Sequence, residues 1–397
     1  MLIFISVSNY SIAGDLHLFG YTSFLHQKIN NQPEIDSLGK TVNSNSHSDW
    51  DISKFNLILQ QSFNKNFSFY INLTNNFEVN NVFGFYSFNR YYNFKLGKIY
   101  RKFGHFNHIR EASPFNYGIE LPESFQTNHL IFDINTVFEF SGNTEILNNN
   151  LSYTANFSFI DNINDGFSFP FGFDLRYEKS NTFNFGTSFY YSGSKAISDI
   201  DFNKGISKNG VLPWMINDEF TVLDFFIEYK YENFTLIGEW INSTHNSLRN
   251  AEKIFEMSVN DNDGTFLINE KQKDRYKIDK SKGFEPSNIK QVIDYNIQNY
   301  YFILTYNWVT KFGLVSPFIK AEEYSNPELI ENINFGGDNE VGRTDDGKIS
   351  KYILGLAFYP INEIALKFAL GIDNYNFNNQ SHNVYNYKLE FFYIFGN

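Results

Sequence analysis

Residues 103–128 gather His105, His108, Arg110, Glu111, Glu120 and Glu123 among prolines, glycines and aromatic rings. Carboxylates and a guanidinium at that density can set an electric field along a water path. The two histidines stand three residues apart with no third ligand nearby, so the metal reading of them is set aside. A second cluster, 259–270 (VNDNDGTFLINE), puts Asp261, Asp263, Gly264 and Glu270 at offsets of a calcium loop. Val259 holds the first ligand position there and no helical pattern flanks the segment, so Asp261, Asp263 and Glu270 make only a partial match, and no cofactor is expected. For nucleophilic catalysis, His129, His245 and His382 have Ser and Asn nearby, yet no motif selects a triad, and a chain with no cysteine excludes thiol chemistry.

Such side chains need elements to hold them, and composition narrows which. The chain has 397 residues, 46 Phe and 26 Tyr, yet a mean hydropathy of only -0.37. No run reaches the roughly 18 apolar residues of a membrane-spanning helix. A net charge of -12 argues against nucleic acid as a partner, since phosphate binding needs clustered cations. Residues 1–13, MLIFISVSNYSIA, carry an apolar run from Leu2 to Val7 and small residues at Ser11 and Ala13, the pattern of a signal peptide cut before Gly14. The usual basic n-region is missing, which leaves open a downstream start or a first strand. A signal peptide implies export, with 14–397 as one domain.

From residue 15 onward, strict alternation of apolar and polar residues predicts strands. In 151–159, Leu151, Tyr153, Ala155, Phe157 and Phe159 oppose Ser152, Thr154, Asn156 and Ser158. The same template yields sixteen strands, near 15–24, 53–63, 66–74, 82–90, 93–102, 129–140, 150–160, 170–178, 183–192, 220–231, 234–242, 298–308, 313–323, 350–360, 363–373 and 384–395. Links after even strands are short, such as Asn64-Lys65 and Glu232-Asn233; those after odd strands include 25–52, 103–128, 193–219, 243–297 and 324–349. The fold class is therefore all-β: a transmembrane up-and-down antiparallel β-barrel with short periplasmic turns and long extracellular loops. Seven of the nine prolines fall in or beside the odd-numbered links, where no ladder N–H is required.

Sixteen strands enclose a lumen too wide for side chains to fill, so the polar face points inward. Its charged members are Lys95, Asp133, Glu139, Asp174, Arg176, Glu178, Asp224, Glu228, Lys230, Glu239, Lys367, Lys388 and Glu390. Burying so many charges dry costs several kcal/mol each unless they are paired, which favours a water-filled interior. Outward lie the Phe and Tyr, with Trp50 and Trp240 expected by the long-loop rim and Trp308 by the short-turn rim. In 93–102 the phase leads to Lys98 pointing at lipid; a bulge at Gly97 is expected to reverse it and turn Ile99 outward.

Four segments then carry a family likeness. Residues 97–104 (GKIYRKFG), 317–324 (PFIKAEEY), 355–368 (GLAFYPINEIALKF) and the aromatic end Tyr393-Ile394-Phe395 resemble a Gram-negative outer-membrane porin, most of all the phosphate-selective type. Lys102 stands where that pattern has proline, and Gly396 and Asn397 follow the terminal aromatic. The resemblance implies a barrel in the bacterial outer membrane, usually trimeric, assembled by the barrel-assembly machinery and passing small hydrophilic solutes. It also implies a third loop, 103–128, folded inward, with Arg110, Glu111, Glu120 and Glu123 as the pore constriction facing Lys95, Asp133 and Arg176. Phosphate preference does not follow, because no Lys/Arg ladder is evident. The acidic link 324–349 is expected to face lipopolysaccharide. The function expected is passive diffusion without enzymatic chemistry; the rivals are a substrate-specific or gated uptake barrel, or an enzyme or adhesin working through the loop 243–297.

Overall fold

The computed structural model describes residues 15–35, 41–107, 118–125, 135–158, 160–162, 166–179, 182–193, 196–197, 215–252, 290–328, 348–377 and 380–396. The expected signal peptide, 1–13, lies outside them. The wall consists of β1 (Leu16–Ile35), β2 (Thr41–Ser62), β3 (Phe67–Leu73), β4 (Val79–Asn89), β5 (Tyr92–Ile99), β6 (Asn135–Ile146), β7 (Asn149–Ser158) and β8 (Phe171–Lys179). It continues with β9 (Phe183–Tyr191), β10 (Met215–Tyr231), β11 (Phe234–Arg249), β12 (Val292–Tyr306, prolonged by Trp308–Thr310), β13 (Gly313–Ser325), β14 (Lys348–Ile361), β15 (Ile364–Phe377) and β16 (Gln380–Gly396). Each strand pairs antiparallel with the next, and β16 returns to β1, with Tyr21 opposite Ile394. Closure leaves no free edge, so every strand finds backbone partners on both sides, as the membrane interior demands.

Alternation does what the sequence promised. Along β11, Thr235, Ile237, Glu239, Ile241, Ser243, His245, Ser247 and Arg249 are buried on the inner face, while Phe234, Leu236 and Trp240 stand exposed on the outer one. The strands nevertheless reach further than the pattern indicated. Most of 25–52, expected as a loop, is strand: β1 and β2 climb as a hairpin to Ile35 and Thr41, with Pro33 opposite Ser44. At about 3.3 Å per residue and a 45° tilt, the 20 residues of β1 rise well past an apolar band of about 25 Å. The upper half of β1, HQKINNQPEI, is mostly polar, which is why apolar alternation alone stops too early.

Three other expectations change. The link foreseen at 141–149 is a two-residue turn, Leu147-Asn148, with φ of 52° and 62°, so β6 runs to Ile146. That is the doubly left-handed turn of tight hairpins, here without the glycine that usually announces it. Gly97 makes no bulge: pairing of β5 with β4 and β6 continues in register from Asn93 to Lys98. Ile99 is 4% exposed and faces inward, while Lys98 keeps the outer face and its Nζ donates to the Val79 carbonyl at 2.9 Å. A long ammonium near a strand end escapes lipid by reaching the rim. Gly97 serves closeness instead, at φ 150°, since a Cβ there would lie 2.1 Å from the Val82 carbonyl oxygen. Finally, because β11 runs on to Arg249, Trp240 stands mid-strand, stacked on Phe225 with ring centres 5.8 Å apart. Trp50 stacks on His26 at 4.4 Å in the upper hairpin, and Trp308 lies beside the short Lys311-Phe312 turn.

Candidate functional site: the lumen and the loop that enters it

Between β5 and β6 the chain leaves the wall, and two described segments of it, 101–107 and 118–125, lie against the inner face. Its first arm, 101–107, rests on the inner faces of β7 to β12. Arg101 is 1% exposed; one Nη donates to Asn156 Oδ1 at 2.8 Å, another to Ser158, and its plane lies 4.9 Å over the Tyr190 ring. Gly104 follows at φ 56°, donating to Ser188 Oγ and accepting from Arg176 Nη2, each at 2.8 Å. Glycine suits the site, because a Cβ would sit 2.1 Å from a Glu239 carboxylate oxygen and force that side chain to shift. The next amide, His105 N–H, donates to that carboxylate at 2.9 Å, and Phe106 packs 5.8 Å from the Tyr301 ring. Burial pushes the His105 imidazole down to about 4.

The second arm, 118–125, lies against β12 to β16. Glu120 bonds Lys388 and stands 3.7 Å from Lys351; Glu123 also bonds Lys351. Glu123 N–H donates to Glu322 at 2.6 Å, and Ser124 Oγ to Asn299 Oδ1 at 2.8 Å. Burial raises the Glu120 carboxyl, and the ammonium groups of Lys388 and Lys351 override it, holding it down at about 2. Lys320 completes the patch, paired with Glu322 at 2.8 Å.

Of the residues singled out in the sequence, the structure brings Glu120 and Glu123 together, but against the wall lysines. Arg176 is held by Asp174 at 2.7 Å, with Lys102 3.7 Å from the same carboxylate, and Lys95 pairs with Glu139 at 2.9 Å. The expected confrontation of Glu120 and Glu123 with Lys95 and Arg176 across open water is thus replaced by local pairs. Asp224 and Glu239 flank Gly104, and Lys367 lies 4.8 Å over the Phe392 ring beside buried Glu390. Glu178 is half-buried, and Glu228 pairs with the more exposed Lys230 at 2.8 Å near the short-turn mouth. Arg110, Glu111, Asp133, Asp261, Asp263 and Glu270 lie outside the described residues. The reading missed Lys320, Glu322, Lys351 and Asp373, although alternation along 313–323, 350–360 and 363–373 put all four on the polar face.

It also missed a relay near the long-loop rim. Ser243 Oγ lies 2.6 Å from His245 Nε2, whose Nδ1 lies 2.7 Å from Asp218, while Tyr295 and Ser247 bond the same carboxylate. The connectivity is that of a hydrolytic triad. Ser243, however, is 0% exposed and pairs in register with Val222 and Ile297, and the imidazole is clamped between the rings of Phe220 and Tyr295. The relay ties β10, β11 and β12 together.

The closed wall of sixteen antiparallel strands is a transmembrane β-barrel fold. Among solved structures the chain is similar to an anion-selective porin from Comamonas acidovorans, at 10% identity and TM-score 0.59, covering 96% of this chain and 100% of that one. It is also similar to OmpF of Salmonella typhi in complex with daunomycin, at 12% identity and TM-score 0.54, covering 98% and 99%. A third is the outer-membrane channel DcaP of Acinetobacter baumannii, at 9% identity and TM-score 0.52, covering 98% and 99%. No protein-family model and no curated sequence matches the chain.

Proposed function

We propose that the chain is a general diffusion porin of the bacterial outer membrane, admitting small hydrophilic solutes and ions through the lumen. The observation that carries this reading is the inner face itself: charged side chains of both signs, set in opposed pairs on a wall whose outer face is apolar. The pairs along β5 to β8 and β13 to β16 cancel locally, which supports weak ion preference over a phosphate ladder. The third loop, braced by Glu120 and Glu123, forms the constriction, with Arg110 and Glu111 in the same loop. Lipopolysaccharide and the assembly machinery are the partners that a barrel in this membrane meets.

The experiment is a reversal potential across a salt gradient. Replacing Glu120→Gln with Glu123→Gln leaves Lys351 and Lys388 without their loop carboxylates. Selectivity then moves toward anions. An unchanged reversal potential in a folded double variant removes the two glutamates from the solute path.

A further inference from the structure

On the outer side of β5 to β8 the wall carries a groove of about 590 Å3, lined by Tyr91, Tyr92, Phe140, Tyr153, Ala155 and Phe173 among others. Its shape follows from the register. Ala155 of β7 lies opposite Phe140 of β6 and Phe173 of β8, so a methyl floor runs between two ring walls that stand 55% and 48% exposed. One step toward the short-turn rim, Tyr153 is opposite Gly142 and Leu175. The Tyr153 ring leaves the column and lies across Gly142, its hydroxyl donating to the Tyr91 carbonyl at 2.7 Å. A Cβ on Gly142 would stand 2.6 Å from that hydroxyl and 2.0 Å from the Tyr91 oxygen, so the missing side chain is what lets the ring lie down.

At the lower end is Arg90, in the turn joining β4 to β5. Its side chain is 56% exposed, and the guanidinium donates to Glu145 at 2.8 Å and to the Tyr91 hydroxyl at 2.7 Å. An ion pair between two groups more than half exposed is weak in water and exchanges readily. A planar guanidinium beside aromatic hydroxyls at a membrane boundary matches a phosphate headgroup. The apolar channel above it, one small side chain wide between two rings, suits a single hydrocarbon chain.

We propose that this groove binds one anionic glycerophospholipid of the periplasmic leaflet, an acyl chain lying over Ala155 between Phe140 and Phe173 and the phosphate at Arg90. The inference rests on the membrane reading of the barrel, but it does not depend on conduction. Native mass spectrometry of the detergent-extracted chain, offered dioleoylphosphatidylglycerol or dioleoylphosphatidylcholine, tests it. The wild type retains one phosphatidylglycerol per chain. Ala155→Phe, which fills the floor, lowers that retention about tenfold or more. Arg90→Gln abolishes the preference for phosphatidylglycerol while phosphatidylcholine binding stays unchanged. Folding is checked by heat-modifiable migration, with Ala155→Leu used if the Phe variant does not fold. Retention equal to wild type in a folded, filled groove overturns the site, and an Arg90→Gln preference equal to wild type overturns the headgroup assignment. Disulfide-linked pairs from Ala155→Cys chains make a second copy the occupant and overturn the lipid.

Discussion

Glu120 is half-buried against two lysines, and the balance of forces on it can be read residue by residue. Leaving water opposes its charge; Lys388 and Lys351 more than compensate, holding it at about 2, below the ordinary carboxylate range. A carboxyl whose folded value lies below its unfolded one adds stability above the unfolded value, and that contribution is lost as the pH falls from the unfolded value through about 2. His105 acts with the same sign. Its imidazole is held at about 4 by burial, so between the ordinary histidine value and 4 the unfolded chain takes up a proton that the folded chain refuses. These two contributions are therefore lost in sequence on acidification, that of His105 below about pH 6.5 and that of Glu120 at lower pH. Thermal unfolding followed by circular dichroism across pH 2–7 checks this: the wild-type midpoint, taken relative to that of His105→Gln, is expected to fall between pH 6.5 and 4, and a difference that stays level there contradicts the burial assigned to His105.

At the scale of elements, the root of the third loop hangs on one glycine. Gly104 combines a left-handed φ of 56° with a backbone so close to Glu239 that a methyl group would push its carboxylate aside. Gly104→Ala is expected to break the His105 and Arg176 hydrogen bonds, free the first arm from β8 to β11 and raise unitary conductance, while heat-modifiable migration shows the wall intact; conductance equal to wild type contradicts the anchoring role. The strands themselves were legible because one face meets lipid: Phe173 and Leu175 against Asp174 and Arg176 could not be misread. The upper hairpin from Gln27 to His47 was not, since its apolar residues, Ile29 and Ile35 among them, are too few to mark a phase. Lys98 misled for a different reason. A period-two argument treats every outward lysine as an error and invents a bulge, whereas the structure lets the side chain reach the Val79 carbonyl. The pairing of Glu120 with Lys388 lies some 270 positions apart in the chain, and only closure of the barrel brings them together.

The whole molecule is uneven in height. β3 and β5 have 7 and 8 residues, against 17 in β10 and 20 in β1. At about 3.3 Å per residue and 45° of tilt, the short strands rise only about 16–19 Å, less than an apolar band of about 25 Å. Phe67, Phe88 and Leu96 stand exposed on that low side. A second copy set against it would cover both the rings and the deficit, so the native particle is expected to be an oligomer, with Leu96→Asn shifting it toward monomer in native mass measurements; a monomeric wild type contradicts this. The central claim remains conduction through the lumen, and planar-bilayer recording of the refolded chain meets it most directly. Stable, ohmic unitary steps with a small reversal potential in a salt gradient are the result this account predicts. A silent bilayer, from protein whose heat-modifiable migration shows the barrel folded, would contradict it.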